Sequence, residues 1–583
     1  MNWNESVEVL VVGSGCGGLT SALCLYEMGV KDVLVIEKGE RFGGTSSYSG
    51  GGIWIPCSHL AQAAGAQDSL EEAREYLRNS VPGVDPALLD AYIANGPRML
   101  KFLHERTRVR YQSLAHYPDY FSEAAGAKAG HRSLEPEPIH IDSLGAEAEY
   151  LMPTHPMITI GGRISLKQQE AHAMIGQLPG WWRLAARLLW NYLADIPWRF
   201  KTRRDRRACC GSAGVARLRL SMLDRDMPLW RNTRLLELVY DKGRVQGAIV
   251  NRDGRLVSIR ARRGVVLAAG GFEKNQAMRD AYLPKPTNTQ WSAGVFTNEG
   301  DALRAAMAIG ARVRNLDGGW WVTTFCFPGD SIPRPAIIEK SYPGSCVVNR
   351  AGKRIANESQ NYMTYMKEAF AKHSEQEPSS PAFMIFDARF RRNYIVGPLL
   401  KSGLRPDFLL PAAYRRQGYF AKAATLRELA GRIGIDADNL ESTVAAMNHY
   451  AATGKDLEFG RGDTLYDRYY GDATIKPNPC LAPIVEAPFY AVRMDLGDWG
   501  TQGGMVTDSH ARVLSENGEA MEGLYAVGNC ALAVLPTYPG AGSTLGPAMT
   551  FAYQAAKHIS GYNDGGADHD TRQNAALADS LPA

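Results

Sequence analysis

The chain has 583 residues, 45% apolar and 22% charged, the composition of a soluble globular protein with room for two or three domains, or for one large domain carrying an insertion. A formal net charge of +4 is too small to argue for a nucleic-acid partner. Nine scattered cysteines without a CxxC pair exclude a disulfide framework and a cysteine zinc site, so no metal is expected and a reducing cytoplasm is the expected compartment. The N-terminus lacks the basic region of a secretory signal, and no uncharged apolar run reaches the ~18 residues of a spanning helix.

The stretch VEVLVVGSGCGGLTSALCLYEMGVKDVLVIEK predicts a buried parallel strand over 7–12, a glycine turn, a helix bearing Leu19, Ala22, Leu23 and Tyr26, and a second strand over 33–36. In that setting Gly13 permits a tight turn, and Gly15, with Ser14 and Gly17 beside it, lets a pyrophosphate approach the backbone. Gly18 allows close helix–strand packing, while Glu37, followed by Lys38, accepts from ribose hydroxyls. More small-residue clusters follow at Gly43, Gly44, Thr45 and Ser46, at Gly50, Gly51 and Gly52, at Gly270, and at Gly528 with Asn529. Segments so far apart fit one long cofactor crossing a domain, which favours FAD over NAD.

Residues 178–210 look unlike their surroundings. Leu178, Trp181, Trp182, Ala185, Leu188, Leu189, Tyr192, Leu193 and Ile196 recur at helical spacing as one stripe ~28 Å long. Between Trp181 and Arg207, eight Lys/Arg face two Asp, a local excess of +6 that leaves the rest of the chain at about −2. Trp and Leu on one face with basic residues beside them is the pattern of a helix lying in a lipid interface, and 178–207 is expected to bind a membrane surface from the cytoplasmic side. A packed helix or a subunit contact is the competing reading.

Residues 238–271 predict a hairpin with turns at Lys242-Gly243 and Asp253-Gly254, and 508–529 a second such feature. Trp320, Trp321, Phe325 and Phe327 fit an apolar cleft or core packing equally. In PTYPGAGSTLGPAMTFAYQAAKH, 536–558, a Pro/Gly loop leads into a helix with Pro547 expected at its first position, a place to hold an anion. The tail after Ile559 reads as a loose terminus.

Taken in order, RFGGTSSYSGGGIWIP, YPDY, RIANES, FMIFD, FYAVRM, GLYAVGN and YPGAG resemble the flavoprotein family of 3-ketosteroid dehydrogenases within the fumarate reductase-like superfamily, over nearly the whole chain. The likeness implies a mixed α/β fold: a Rossmann-like FAD domain over 1–319 and 501–583, with a catalytic domain over 320–500 inserted. No His stands beside Gly43-Gly44, so non-covalent FAD is implied. It also implies 1,2-desaturation of a 3-ketosteroid, with Tyr362 as proton-abstracting base, Tyr120 as its helper, and Tyr538 with the Gly542 N–H on the ketone. Donors near Leu545 and Ala548, at the positive end of their helix, would stabilise the reduced flavin. Tyr117 is the nearest alternative to Tyr120. Because shorter steroid dehydrogenases of the family lack the 178–210 insert, a bulky-tailed substrate such as cholest-4-en-3-one is implied. A Δ4-(5α)-desaturase, a fumarate reductase-like enzyme and a non-catalytic sterol-binding flavoprotein are the alternatives; the electron acceptor, a quinone or other, is open.

Overall fold

The computed structural model describes residues 2–176 and 178–563. From residue 564 on, the tail expected to be loose lies outside the described residues.

Strand, glycine turn, helix, strand and acid form as the N-terminal pattern requires. Glu5–Val12 runs parallel to Val33–Ile36, with Val9 to Val12 opposite Val33 to Ile36, and every residue of the second strand is buried. A strand buried on both faces needs a continuous aliphatic run, which VLVV and VLVI supply. Gly13, at φ +107°, turns the chain into the helix Cys16–Glu27. A Cβ on Gly18 would fall 2.0 Å from the Gly13 carbonyl oxygen, so this helix sits as close to its strand as only glycine allows.

On the other side of Glu5–Val12 lies Arg255–Leu267, and beyond it Ala520–Ala526, both parallel to it in sense and both members of an eight-stranded sheet. The expected hairpin is a three-strand meander, Thr233–Asp241, Arg244–Arg252 and Arg255–Leu267. Its turns are Lys242-Gly243 and Asp253-Gly254, all four residues with positive φ, the two-residue geometry that matches strand twist. The last long helix, Leu545–Ser560, packs on Cys16–Glu27, so the two ends of the chain close on each other.

A second, six-stranded sheet is drawn from 319–501. Its long strand Phe489–Thr501 pairs antiparallel with Gly319–Phe325, Ala382–Phe386 and Phe420–Ala423. The helix Tyr362–Ala371 packs against Gly319–Phe325, and Asn361 caps it by accepting from the Thr364 N–H.

The insert differs from its expected single helix. Trp181–Ala194 ends at Asp195, and a short turn of helix, Ile196–Lys201, restarts with Pro197 in its first turn. A proline there has no N–H to continue the first helix. Leu188 is buried against Ile164 and Leu166, whereas Trp182, Leu189, Leu193 and Ile196 of the stripe stay exposed; Trp190 and Phe200, outside the stripe, are 71% and 88% exposed. The basic excess is partly consumed internally. Arg206 pairs with Asp195, Arg207 pairs with Glu170, and Arg204 donates to the Leu151 carbonyl. Arg183, Arg187, Lys201 and Arg203 remain on the surface.

Candidate active site

One cleft, with a cavity volume of about 1010 Å³, runs between the two sheets. All of the expected cofactor residues line it except Gly18 and Gly43. Gly18 acts through packing, and Gly43, at φ +112°, donates its N–H to Ser14 Oγ and shapes the loop beneath. A Cβ on Gly44 or Gly50 would meet nothing within 4 Å, so the glycine run faces open cleft. Glu37 accepts from Ser14 N–H and Oγ on one oxygen and from Gly39 N–H on the other. The oxygen facing Gly39 keeps a further lone pair for a ribose hydroxyl. The first turn of Cys16–Glu27 carries no acid, as an anion site requires. These residues fit an extended flavin dinucleotide. Lys38 is the exception in role: its Nζ is held at 2.9 Å by Glu299 and 2.8 Å by Asp301, so its charge is spent on the protein.

Further along the same cleft stand the three tyrosines. Ring centroids are 5.5 Å apart for Tyr120–Tyr538, 5.4 Å for Tyr362–Tyr538 and 6.0 Å for Tyr120–Tyr362. Residues up to 418 positions apart in sequence (538 − 120) are thus brought into one triangle, and the folding that does so is visible in the backbone. Tyr120 N–H donates to the Pro539 carbonyl, as does the Tyr76 hydroxyl, which ties the loop before Tyr120 to the loop after Tyr538. Gly540 lies against Trp54, where a Cβ would fall 2.2 Å from the ring. The Trp54 indole donates to Asp119 at 2.7 Å, and Asp119 is held by the buried Arg132 at 2.9 Å. Burial pushes the Asp119 carboxyl up to about 6, against the pull of Arg132. Tyr538 itself takes φ +64°, rare for a bulky residue, which turns its ring into the cleft between Trp320, Tyr120 and Tyr362.

The electrostatics single out Tyr538 among the three. Burial raises its phenol, and hydrogen bonds from Tyr362, Thr544 and the Gly542 N–H act in the other direction. Tyr362 and Tyr120 are raised well above the ordinary phenol value, by burial first and neighbouring phenols second. The Gly542 N–H and the Tyr538 hydroxyl thus lie within hydrogen-bond reach of each other at the wall of the cleft. Gly542, at φ +103°, packs its Cα on Ile53, where a Cβ would fall 2.4 Å from backbone. Leu545 begins the helix, so Pro547 occupies its third position rather than its first; Gly546 N–H donates to the Gly542 carbonyl at 2.9 Å and Ala548 N–H to the Thr544 carbonyl at 3.2 Å, and Pro547 has no N–H to offer.

One residue of the site, Thr544, was beyond the sequence reading, and two that it left open, Trp320 and Tyr117, find their places in the structure. Thr544, the residue before Leu545, adds its hydroxyl to the Tyr538 group. Trp320 lines the cleft and donates to Asn529 Oδ1 at 3.0 Å, whereas Trp321, Phe325 and Phe327 pack in the core. Tyr117, the alternative to Tyr120, has its hydroxyl 3.3 Å from that of Tyr120 and 2.6 Å from that of Tyr470. The cleft opens at Trp181 and Ala185 of the insert, facing Leu400, Lys401 and Leu404, with Lys401 Nζ 5.7 Å above the Trp181 ring.

The FAD binding domain family matches residues 8–545. The 3-oxosteroid 1-dehydrogenase of Mycobacterium tuberculosis (strain ATCC 25618 / H37Rv) is 38% identical over 95% of this chain and 98% of its own length. The 4-oxocyclohexanecarboxylate 2-dehydrogenase of Sinomonas cyclohexanicum is 36% identical over 99% and 98%. A crystal structure of 3-ketosteroid delta1-dehydrogenase from Sterolibacterium denitrificans, in complex with 1,4-androstadiene-3,17-dione, superimposes with a TM-score of 0.92 at 42% identity, covering 96% of this chain and 100% of that one. Cradle, glycine fingerprint and family agree on FAD as the cofactor. The chain belongs to the FAD-binding flavoproteins and, within them, to the 3-oxosteroid 1-dehydrogenase family.

Proposed function

We propose that the protein introduces the C1–C2 double bond into 3-ketosteroids. The observation that carries the reading is the convergence of Tyr538, Gly542 N–H, Tyr362 and Tyr120 at one end of an FAD cleft. Tyr538 O–H and Gly542 N–H receive the C3 ketone oxygen and stabilise the negative charge that builds there as the neighbouring C–H bond weakens. Tyr362, assisted by Tyr120, takes the C2 proton. FAD, when bound, supplies the hydride acceptor for C1. The positive end of Leu545–Ser560, with Leu545 and Ala548 lining the cleft there, favours anionic charge at that edge. Reoxidation falls to an electron acceptor, with quinones the first to test.

The substrate in this reading is a tailed sterol enone of the cholest-4-en-3-one kind, reached from the inner face of the cell membrane. Trp190 and Phe200 in the insert, and Leu404 and Phe408 at 74% and 79% exposure, give an apolar rim beside Arg183, Arg187 and Lys201. Interfacial helices combine these features. Purified enzyme is mixed separately with androstenedione and cholestenone plus an artificial acceptor, and the product is characterised. A 1,4-dien-3-one product is expected from both; recovery of both 4-en-3-ones with no C1–C2 double bond, under conditions in which 5α-androstane-3,17-dione is desaturated at C4–C5, refutes the reading. Trp190→Glu with Phe200→Glu should release the protein from anionic liposomes while androstenedione turnover stays near that of the parent; undiminished liposome binding refutes the membrane assignment.

A further inference from the structure

A base buried among phenols must dispose of its proton. Tyr362, Tyr120, Tyr117 and Tyr470 are each less than 8% exposed. Among these groups no carboxylate or histidine is hydrogen-bonded to Tyr362 in the described residues. Tyr538, its hydrogen-bonded neighbour, is committed to the ketone in the reading above. A steroid lying in the cleft also excludes water from that side.

The hydroxyls themselves provide a way out. Tyr120 lies edge-on to Tyr362, its hydroxyl is 3.3 Å from that of Tyr117, and the Tyr117 hydroxyl is 2.6 Å from that of Tyr470. In both hydroxyl pairs either oxygen can be the donor, as a proton line requires. The Tyr470 ring then lies edge-on to the half-buried His172, at 6.5 Å between centroids, on the helix Gln168–Ile175 that leads into the insert. His172 is stacked on Tyr469 at 4.2 Å and has the exposed His116 as an electrostatic neighbour.

We propose that Tyr117 and Tyr470 extend Tyr120 into a proton line that carries the substrate proton from Tyr362 to His172 and so to water. The proposal rests on Tyr362 being the base. The step balances without another reactant. The C2–H bond breaks with its electron pair remaining in the steroid, where it forms the new C1–C2 π bond. The C1 hydride leaves with its own pair for the flavin. Tyr362 gains the C2 proton as it passes its hydroxyl proton to Tyr120, and each later phenol gains one hydrogen and gives one up. One proton reaches His172 per turnover, and every phenol is restored. Concerted transfer of this kind spares Tyr362 a standing phenolate, which its burial disfavours. Burial also lowers the His172 pKa, which leaves its ring neutral and able to accept. Tyr117 and Tyr470 are positioning residues here, and His172 is the exit group.

The test uses holoenzyme and substrate deuterated at C2, with Tyr117→Phe, Tyr470→Phe and, as a control outside the line, Tyr469→Phe. Two quantities are read at partial conversion: turnover, and deuterium lost to solvent from recovered substrate per product formed. The two line variants should lose roughly 10²-fold in turnover, the lower end of the range for a positioned proton transfer, and washout per product should fall with it. Affinity for the dienone product should change by less than about threefold, below the effect of one lost hydrogen bond to a ligand. His172→Ala should lose turnover that added imidazole restores. Washout per product equal to the parent's in both Tyr117→Phe and Tyr470→Phe overturns the line, and so does parent-like turnover in His172→Ala. Unchanged washout in Tyr362→Phe, a separate result, would instead retire Tyr362 as the base.

Discussion

Replacing Tyr538 by Phe removes one oxygen and leaves nearly everything else in place. The ring keeps its neighbours Trp320, Tyr120 and Tyr362, at 5.6, 5.5 and 5.4 Å between centroids. What folding loses is the hydroxyl that Tyr362, Thr544 and Gly542 N–H approach, about 1 kcal/mol for each net hydrogen bond and so roughly 3 kcal/mol at most. The variant therefore folds and takes up FAD. Catalysis loses more, because a donor aimed at a developing oxyanion matters most when the charge is fullest. One such donor contributes about 10²–10³ in rate, or roughly 3–4 kcal/mol. Gly542 N–H and the helix N-terminus remain, so turnover falls to a residual level and does not vanish. Ground-state binding of a ketone loses one ordinary hydrogen bond, no more than about tenfold in affinity. The assay follows dienone absorbance with an artificial acceptor, and dienone affinity through the flavin spectrum. A kcat within about threefold of the parent, or a loss confined to KM, would refute the assignment of Tyr538 to the oxyanion.

Two further outcomes follow from the same geometry. Gly13→Ala places a Cβ 2.3 Å from the Ala268 carbonyl oxygen at φ +107°, so the variant should purify with little flavin, read as the ratio of flavin to protein absorbance; full occupancy would contradict the cradle. His155 accepts the Met157 N–H at Nδ1, so the proton sits on Nε2, which donates to the Pro333 carbonyl at 3.0 Å. Burial pushes its pKa down to about 4. Between that value and the unfolded value near 6.5 the unfolded chain binds the extra proton, so stability falls as pH drops through this window, by ~3 kcal/mol in total. His155→Gln should flatten the dependence of Tm on pH between 6.5 and 4, and an unchanged slope would refute the role of His155.

What could be read from the sequence divides along the range of the interactions involved. The 13–18 glycines, the strand pair before and after them and the turns at 242–243 and 253–254 are each decided within a few residues, by left-handed backbone or by a buried aliphatic run, and all were legible. The tyrosine triangle was reachable only through the order of motifs, because nothing local in YPDY or IANESQNY distinguishes a catalytic phenol from a packing one. Thr544 was missed for the same reason: a threonine before a helix reads as a cap, yet its side chain caps nothing and joins Tyr538 instead. The phenol at 117 comes from the loop after the strand Tyr111–Ser113 and that at 470 from the end of the helix Leu465–Tyr469, 353 positions on, so no window contains their relation.

The insert shows where counting charges stops being an argument about partners. Eight basic residues against two acids describe a strongly cationic segment, but Asp195 and Glu170 take up Arg206 and Arg207, and Glu170 lies outside the interval counted. Ion pairs formed inside the fold leave less charge for anionic lipid, where each free Lys or Arg contributes about 1 kcal/mol near the surface. Apolar exposure moves the opposite way: Trp190, on the first helical segment, and Phe200, on the segment after the break at Asp195 and Pro197, are more exposed than any residue of the stripe. Binding through this surface should then depend more on aromatic insertion than on charge. Raising salt from 0.1 to 0.5 M should weaken liposome binding only modestly, whereas Trp190→Glu with Phe200→Glu abolishes it. A release driven wholly by salt would place the contact on Arg183, Arg187, Lys201 and Arg203 instead.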